Sequence, residues 1–140
     1  MLQIKIKKIK DGTLPSYKRE GDVCMDCRSR VYLTLAHGER ALIPLGFALE
    51  LPEEYEAIVR PRSGNSKDGI DVAIGTIDTN YRGEVMACVI NNSNSFFVID
   101  KGDRICQLAI REAPVVEWEV VSELSETNRN DKGFGSTGLK

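Results

Sequence analysis

No stretch of the sequence approaches the roughly 18 consecutive apolar residues of a membrane span, and Lys5, Lys7, Lys8 and Lys10 break up the apolar N-terminus, which therefore lacks the continuous core of a secretion signal. Neither sign of charge dominates. With 19 Lys and Arg against 21 Asp and Glu, no basic excess is left to displace the counterions of a duplex, which argues against a nucleic-acid partner. Histidine is almost missing, His37 being the only one. Cys24 and Cys27 form a C-x-x-C, but Cys88 and Cys106 are isolated, so the second ligand pair of a structural zinc site is lacking. No helical pattern follows Cys27, as a redox C-x-x-C would require. The four cysteines are read as reduced thiols packed as small apolar groups, and the chain as a soluble cytoplasmic protein with no membrane partner, or a nuclear one were its source eukaryotic or viral.

Helical periodicity is absent too: no ten-residue stretch repeats apolar positions at 3.6 spacing. Short β-branched runs recur instead between turn residues. Leu2, Ile4 and Ile6 alternate with Gln3, Lys5 and Lys7, which predicts a strand with one face on the core and a lysine face in water. Further strands are predicted at 31–35, 40–44, 47–51, 55–60, 71–74, 83–91, 96–99 and 104–121, the last broken at Pro114. Roughly ten short strands separated by Gly, Pro, Asn and Asp predict a double-sheet roll or barrel. A chain of 140 residues makes one domain, able to bury about 68–70% of its unfolded surface without metal or disulfide support. From Glu126 onward the sequence turns polar and glycine-rich, and Phe134 stands alone among glycines with no core to join.

Three loops carry groups able to do chemistry. Arg60-Pro61-Arg62-Ser63-Gly64-Asn65-Ser66 supplies two guanidiniums, hydroxyls and a glycine that admits close backbone approach; it is either a phosphate site or a surface turn. Gly75 to Val85 reads as strand, tight turn, strand, with Asp78 at the hairpin mouth as a general base or as a turn-closing carboxylate. Lys101 to Leu108 reads as a turn feeding a strand that points Gln107 away from Cys106 and Leu108.

In order and wording these segments resemble the trimeric deoxyuridine triphosphatase (dUTPase) family. Its five motifs correspond here to Asp22-Val23-Cys24-Met25-Asp26, Pro61-Arg62-Ser63-Gly64, Gly75-Thr76-Ile77-Asp78-Thr79-Asn80-Tyr81-Arg82-Gly83, Gly102-Asp103-Arg104-Ile105-Cys106-Gln107-Leu108, and Arg129 followed by Gly133-Phe134-Gly135-Ser136-Thr137-Gly138. In the first motif the family's usual glycine and leucine are both cysteine here, while Asp26 is kept. Asn65-Ser66 and Arg129-Asn130 also depart from the family pattern.

The resemblance implies an all-β, distorted double-sheet jelly-roll over residues 1–125, with a flexible glycine-rich lid at 126–140. It implies hydrolysis of dUTP to dUMP and pyrophosphate, which limits uracil in DNA and supplies dUMP for thymidylate synthesis. Asp78 would activate water for attack on the α-phosphorus. Arg62, Ser63, Gly64 and Gln107 would meet the phosphates, Gly75 and Ile77 would flank the uracil, and Tyr81 would pack under the deoxyribose. Phe134 would cover the base while Arg129, Gly135, Ser136 and Thr137 approach the terminal phosphates. Asp26 would support the site through a water shell or an inter-subunit bond. Mg2+ would be held through substrate phosphates and water with no direct protein ligand, in a homotrimer whose sites are shared between subunits. A related deaminase fold places a catalytic glutamate where Cys88 stands here, three residues before Asn91, so deamination is not expected.

Overall fold

The computed structural model describes residues 1–133. The short β-branched and aromatic runs form eleven strands among the described residues: β1 (Lys5–Lys8), β2 (Met25–Arg28), β3 (Leu33–Leu35), β4 (Arg40–Pro44), β5 (Phe47–Glu50), β6 (Tyr55–Arg60), β7 (Ile70–Val72), β8 (Gly75–Ile77), β9 (Met86–Asn91), β10 (Phe97–Ile99) and β11 (Arg104–Glu112). One short helix, α1 (Ser63–Lys67), follows β6. All pairing is antiparallel. A four-stranded sheet runs β2-β11-β6-β8, a three-stranded sheet β4-β9-β7, and β1 pairs with β5 and β3 with β10.

Alternation decides which faces meet. In β9, Ala87, Val89 and Asn91 are buried while Met86 is exposed, and the partner Ile43 in β4 is fully buried. Together with Phe47, Leu45, Val59, Ile99, Ile105 and Leu108 they form one core cluster fed by all four sheets. Each such side chain contributes about 1.5–3 kcal/mol by leaving water. Asn91, the largest buried polar group, is fully satisfied: its amide donates to the carbonyls of Leu35 and Ser95 at 2.9 and 2.8 Å, and its oxygen accepts from the N–H and hydroxyl of Ser93. No helix among the described residues is long and apolar enough to cross a membrane.

Three expectations need correction. The first strand is not half-buried: all of β1 is exposed, Ile6 included, and only Ile4 packs against the core. The last predicted strand stops at Glu112, and Val115, Val116, Trp118, Val120, Val121 and Leu124 lie exposed beyond it. Apolar side chains recur along this segment, yet no strand of its own chain pairs with it among the described residues. The segment 75–85 is not a hairpin, because β8 joins the four-stranded sheet and β9 the three-stranded one, so the intervening turn crosses between sheets. Residues 127–132 carry local bonds: Thr127 N–H donates to Asn130 Oδ1 at 2.7 Å, Asn130 N–H returns to Thr127 Oγ1, and Lys132 N–H reaches the Arg129 carbonyl.

Candidate active site

The buried carboxylate of Asp26 organises one end of the four-stranded sheet. It sits in β2 opposite Gln107 of β11, which in turn lies opposite Arg60 of β6, so three strands converge in register. Arg62 Nε donates to Asp26 Oδ1 at 3.2 Å, Arg104 Nη1 to Oδ2 at 3.1 Å and Gln107 Nε2 to Oδ1 at 3.3 Å. Arg62 Nη1 also donates to the Arg104 carbonyl. Burial alone would push Asp26 upward, but the bonds from Gln107 and Arg104 and the charge and bond of Arg62 outweigh it and hold the carboxyl below its ordinary value. Asp26 therefore stays ionised and fixes Arg62 in one rotamer. Two of the five guanidinium N–H groups are spent on this, which leaves the others to face outward. Just beyond, Ser63 and Gly64 open α1 on the surface with no side chain capping the helix. The unpaired N–H groups of that first turn can take an anion.

Asp78 stands elsewhere. The register pairs Ile77 with Ala57, so Asp78 follows at the level of Glu56, in an open cleft lined also by Glu54, Thr79 and Val115. The Asp26–Arg62 cluster is level with Arg60, four residues along β6 from Glu56 and so roughly 13 Å away at about 3.3 Å per residue. Within a single chain, then, the phosphate-type donors and Asp78 lie at opposite ends of the β6–β8 pair.

Gly75 begins β8, and the Ile77 side chain is buried in the core, so what Ile77 offers outward is its backbone. β8 ends its sheet. Half of its N–H and C=O groups therefore point away from β6 toward no further strand of the sheet. Tyr81 closes the turn after Asp78: its N–H donates to the Asp78 carbonyl at 3.1 Å and its hydroxyl to the Glu84 carbonyl at 3.0 Å. Its ring lies over Gly83, where any Cβ would overlap it. Arg129 is exposed, with Nε donating to the Lys132 carbonyl. Phe134, Gly135, Ser136 and Thr137 lie outside the described residues.

The thiols are where their composition put them: none is in a disulfide, with Cys27 and Cys106 buried as neighbours across β2 and β11. A bond with Cys106, burial and the nearby Asp26 charge push the Cys27 thiol far up, so it stays protonated. Arg104 was not singled out from the sequence, although it belongs to the fourth quoted segment. The signal was its place one strand-end from Gln107. The bidentate pair of Arg30 with Glu84, 54 residues apart, had no local signal at all.

Comparison with known proteins gives the family and the fold. The family model described as dUTPase matches residues 10–138. Among curated relatives, the deoxyuridine 5'-triphosphate nucleotidohydrolase of Rickettsia felis is 46% identical, covering 98% of this chain and 97% of its own. That of Finegoldia magna is 44% identical, covering 98% and 99%. The structure of the dUTPase of Staphylococcus bacteriophage 80alpha with dUPNHPP superposes with a TM-score of 0.93 at 25% identity, covering 99% of this chain and 100% of the other. A mostly antiparallel β-fold shared over the full length, and a family match from the N-terminal segment into the glycine-rich tail, lead to one conclusion: this chain belongs to the dUTPase family.

Proposed function

We propose that this protein hydrolyses dUTP to dUMP and pyrophosphate in active sites shared between subunits of a homotrimer. The observation that carries the shared site is the separation of Asp78, level with Glu56, from the Asp26–Arg62 cluster, level with Arg60, four residues and roughly 13 Å along β6. The exposed alternating segment from Val115 to Leu124 supports assembly in the same sense, because Trp118 at 86% and Val120 at 95% exposure are left without cover.

In this mechanism Asp78 of one subunit orients a water molecule and takes its proton as the oxygen attacks the α-phosphorus. The bond from that phosphorus to the bridging oxygen breaks, and pyrophosphate leaves. Such a base is worth about 10²–10⁴-fold. Arg62, the first-turn N–H groups at Ser63 and Gly64, and the Gln107 amide of another subunit meet the charge that grows on the phosphate chain, held ready by Asp26. The outer edge of β8 around Gly75 and Ile77 reads the uracil through backbone groups, and Tyr81 fills the space a 2′-hydroxyl would need. Residues 1–125 act as the catalytic body and 126–140 as a lid, with Arg129, Gly135, Ser136 and Thr137 on the phosphates and Phe134 over the base.

No group of three or more Asp, Glu, His or Cys side chains converges into a metal cage among the described residues. In this reading Mg2+ would be carried by the triphosphate and its water shell, where the ion would withdraw charge from the phosphates. Four free cysteines fit a reducing, cytoplasmic compartment.

The test is pyrophosphate release, followed by malachite green after inorganic pyrophosphatase, with dUTP, dTTP, dCTP and UTP supplied separately. Strong preference for dUTP is expected; preference for any of the other three overturns the assignment.

A further inference from the structure

The turn carrying Asp78 and Tyr81 is tied to the body of the protein at one charged point. Arg30, just past the end of β2, clamps Glu84 with two bonds, Nε to Oε1 at 2.8 Å and Nη2 to Oε2 at 3.2 Å. Glu84 Oε1 also accepts the Gly46 N–H at 2.9 Å. The pair is largely shielded, with side chains 15% and 20% exposed. Arg30 is itself anchored, its N–H donating to the Pro44 carbonyl at 2.9 Å. Immediately after Glu84 the chain joins the core: the Val85 N–H donates to the Phe47 carbonyl, and the Val85 carbonyl accepts from the Leu45 N–H.

Toward the turn, the Glu84 carbonyl receives the Tyr81 hydroxyl, and Gly83 leaves the space in which the Tyr81 ring lies. The other turn bonds, from Tyr81 N–H to Asp78 and from Arg82 Nη1 to the Thr79 and Tyr81 carbonyls, are internal to the turn and fix its shape without fixing its position. At the Asp78 end the turn is held by the pairing of β8 with β6, Ile77 opposite Ala57; at the Tyr81 end the side-chain tie from outside the turn is Arg30 to Glu84.

We propose that Arg30 and Glu84 are positioning residues for sugar selection: by clamping Glu84, Arg30 sets the height of its carbonyl and hence where the Tyr81 ring stands against the sugar of the bound nucleotide. This rests on the reading of Tyr81 as the group that excludes a 2′-hydroxyl. Loosening the clamp leaves the base and phosphate contacts in place but lets the ring retreat, which admits UTP. The effect therefore falls on discrimination between dUTP and UTP more than on turnover of dUTP.

The measurement is the ratio of kcat/KM for dUTP to kcat/KM for UTP, which does not depend on how much of a preparation is folded. Arg30→Met keeps the aliphatic stem and removes the clamp; the ratio is expected to fall about tenfold or more while kcat for dUTP stays within about threefold. Arg30→Lys keeps a charged bond to Glu84 and should hold the ratio within about threefold of the unaltered protein. Tyr81→Phe removes only the bond to the Glu84 carbonyl, and its effect on the ratio should be non-additive with that of Arg30→Met, since both act through one element. Should Arg30→Met fail to fold, Glu84→Gln, which keeps the acceptor for Gly46, reads the same ratio. A lower melting temperature with an unchanged ratio, or strictly additive effects, reduces the pair to a structural ion pair and overturns the proposal. Failure of the unaltered chain to prefer dUTP over UTP would be a different result, removing the underlying reading and the proposal with it.

Discussion

Asp26 and Gln107 face each other across the β2–β11 ladder, and the Gln107 amide donates to the same carboxylate oxygen that receives Arg62 Nε. The carboxylate is thus the hub through which two separate sequence segments are held together. Replacing it with Asn leaves Arg62 and Arg104 facing a neutral amide, and because both guanidiniums keep partial access to water the cost should be about 1–3 kcal/mol at neutral pH. The folded-state pKa of Asp26 lies below the ordinary value of an aspartate. Its contribution is therefore complete above that value and is lost as pH falls through the lower folded one. Urea unfolding at fixed protein concentration should show the gap between the protein and Asp26→Asn closing below about pH 4. A gap that persists unchanged into acid would mean that shape, and not charge, is what Asp26 contributes.

Separation of Asp78 from Arg62 along β6 makes a sharp prediction for mixtures. Asp78→Asn and Arg62→Ala should each be nearly inactive alone. Unfolded together in equal amounts and refolded, they should recover about a quarter of full activity, the fraction of shared sites that draw an intact residue from each neighbour. Sites confined to one chain would recover none.

For Asp78 itself, Asn preserves size and most hydrogen bonding but cannot accept the proton. Turnover should fall about 10²-fold or more while affinity for a non-hydrolysable dUTP analogue changes little. Near-normal turnover would place the base elsewhere.

A chain ending at Asn128 keeps every core residue among those described, so it should fold and assemble as the full chain does by light scattering. Its kcat/KM for dUTP should nonetheless drop steeply, because ordering a lid over the nucleotide excludes water and positions the phosphates. Phe134→Ala should show a milder form of the same defect. Equal activity would make the segment an ordinary chain end, and dissociation on truncation would make it an assembly clasp.

Thiol chemistry should divide the four cysteines into two pairs. Cys24 and Cys88 are partly exposed, whereas Cys27 and Cys106 are buried and Cys27 is held protonated. An aromatic disulfide reagent should therefore titrate two thiols quickly in the folded protein and four after denaturation. Rapid reaction of all four would mean that the β2–β11 ladder opens readily.

Strands with clean alternation and β-branched residues, such as β6 and β9, were legible because the core reads every second side chain. β2 was not: Met25-Asp26-Cys27-Arg28 has no β-branched residue, and it holds as a strand through pairing with β11 and through the Asp26 hub, both set by residues some 80 positions away. α1 spans five residues with none buried, too few to print a periodicity. The stretch after Pro114 misled in the opposite direction, since its alternation is genuine but finds no partner strand within the described chain. The chemistry-bearing segments were recognisable one by one. Their separation into two ends of a strand pair was not, because register is a property of pairing and leaves no local mark.

The exposed run from Val115 to Leu124 comes after every core strand in the order of the chain. Synthesis from the N-terminus therefore delivers every strand of the β-body before this stretch can meet any of them. The same sequence circularly permuted to begin at residue 113 would expose this stretch first, during the slow closing of long-range strand pairs, and its yield of soluble protein would suffer even with every native contact still available.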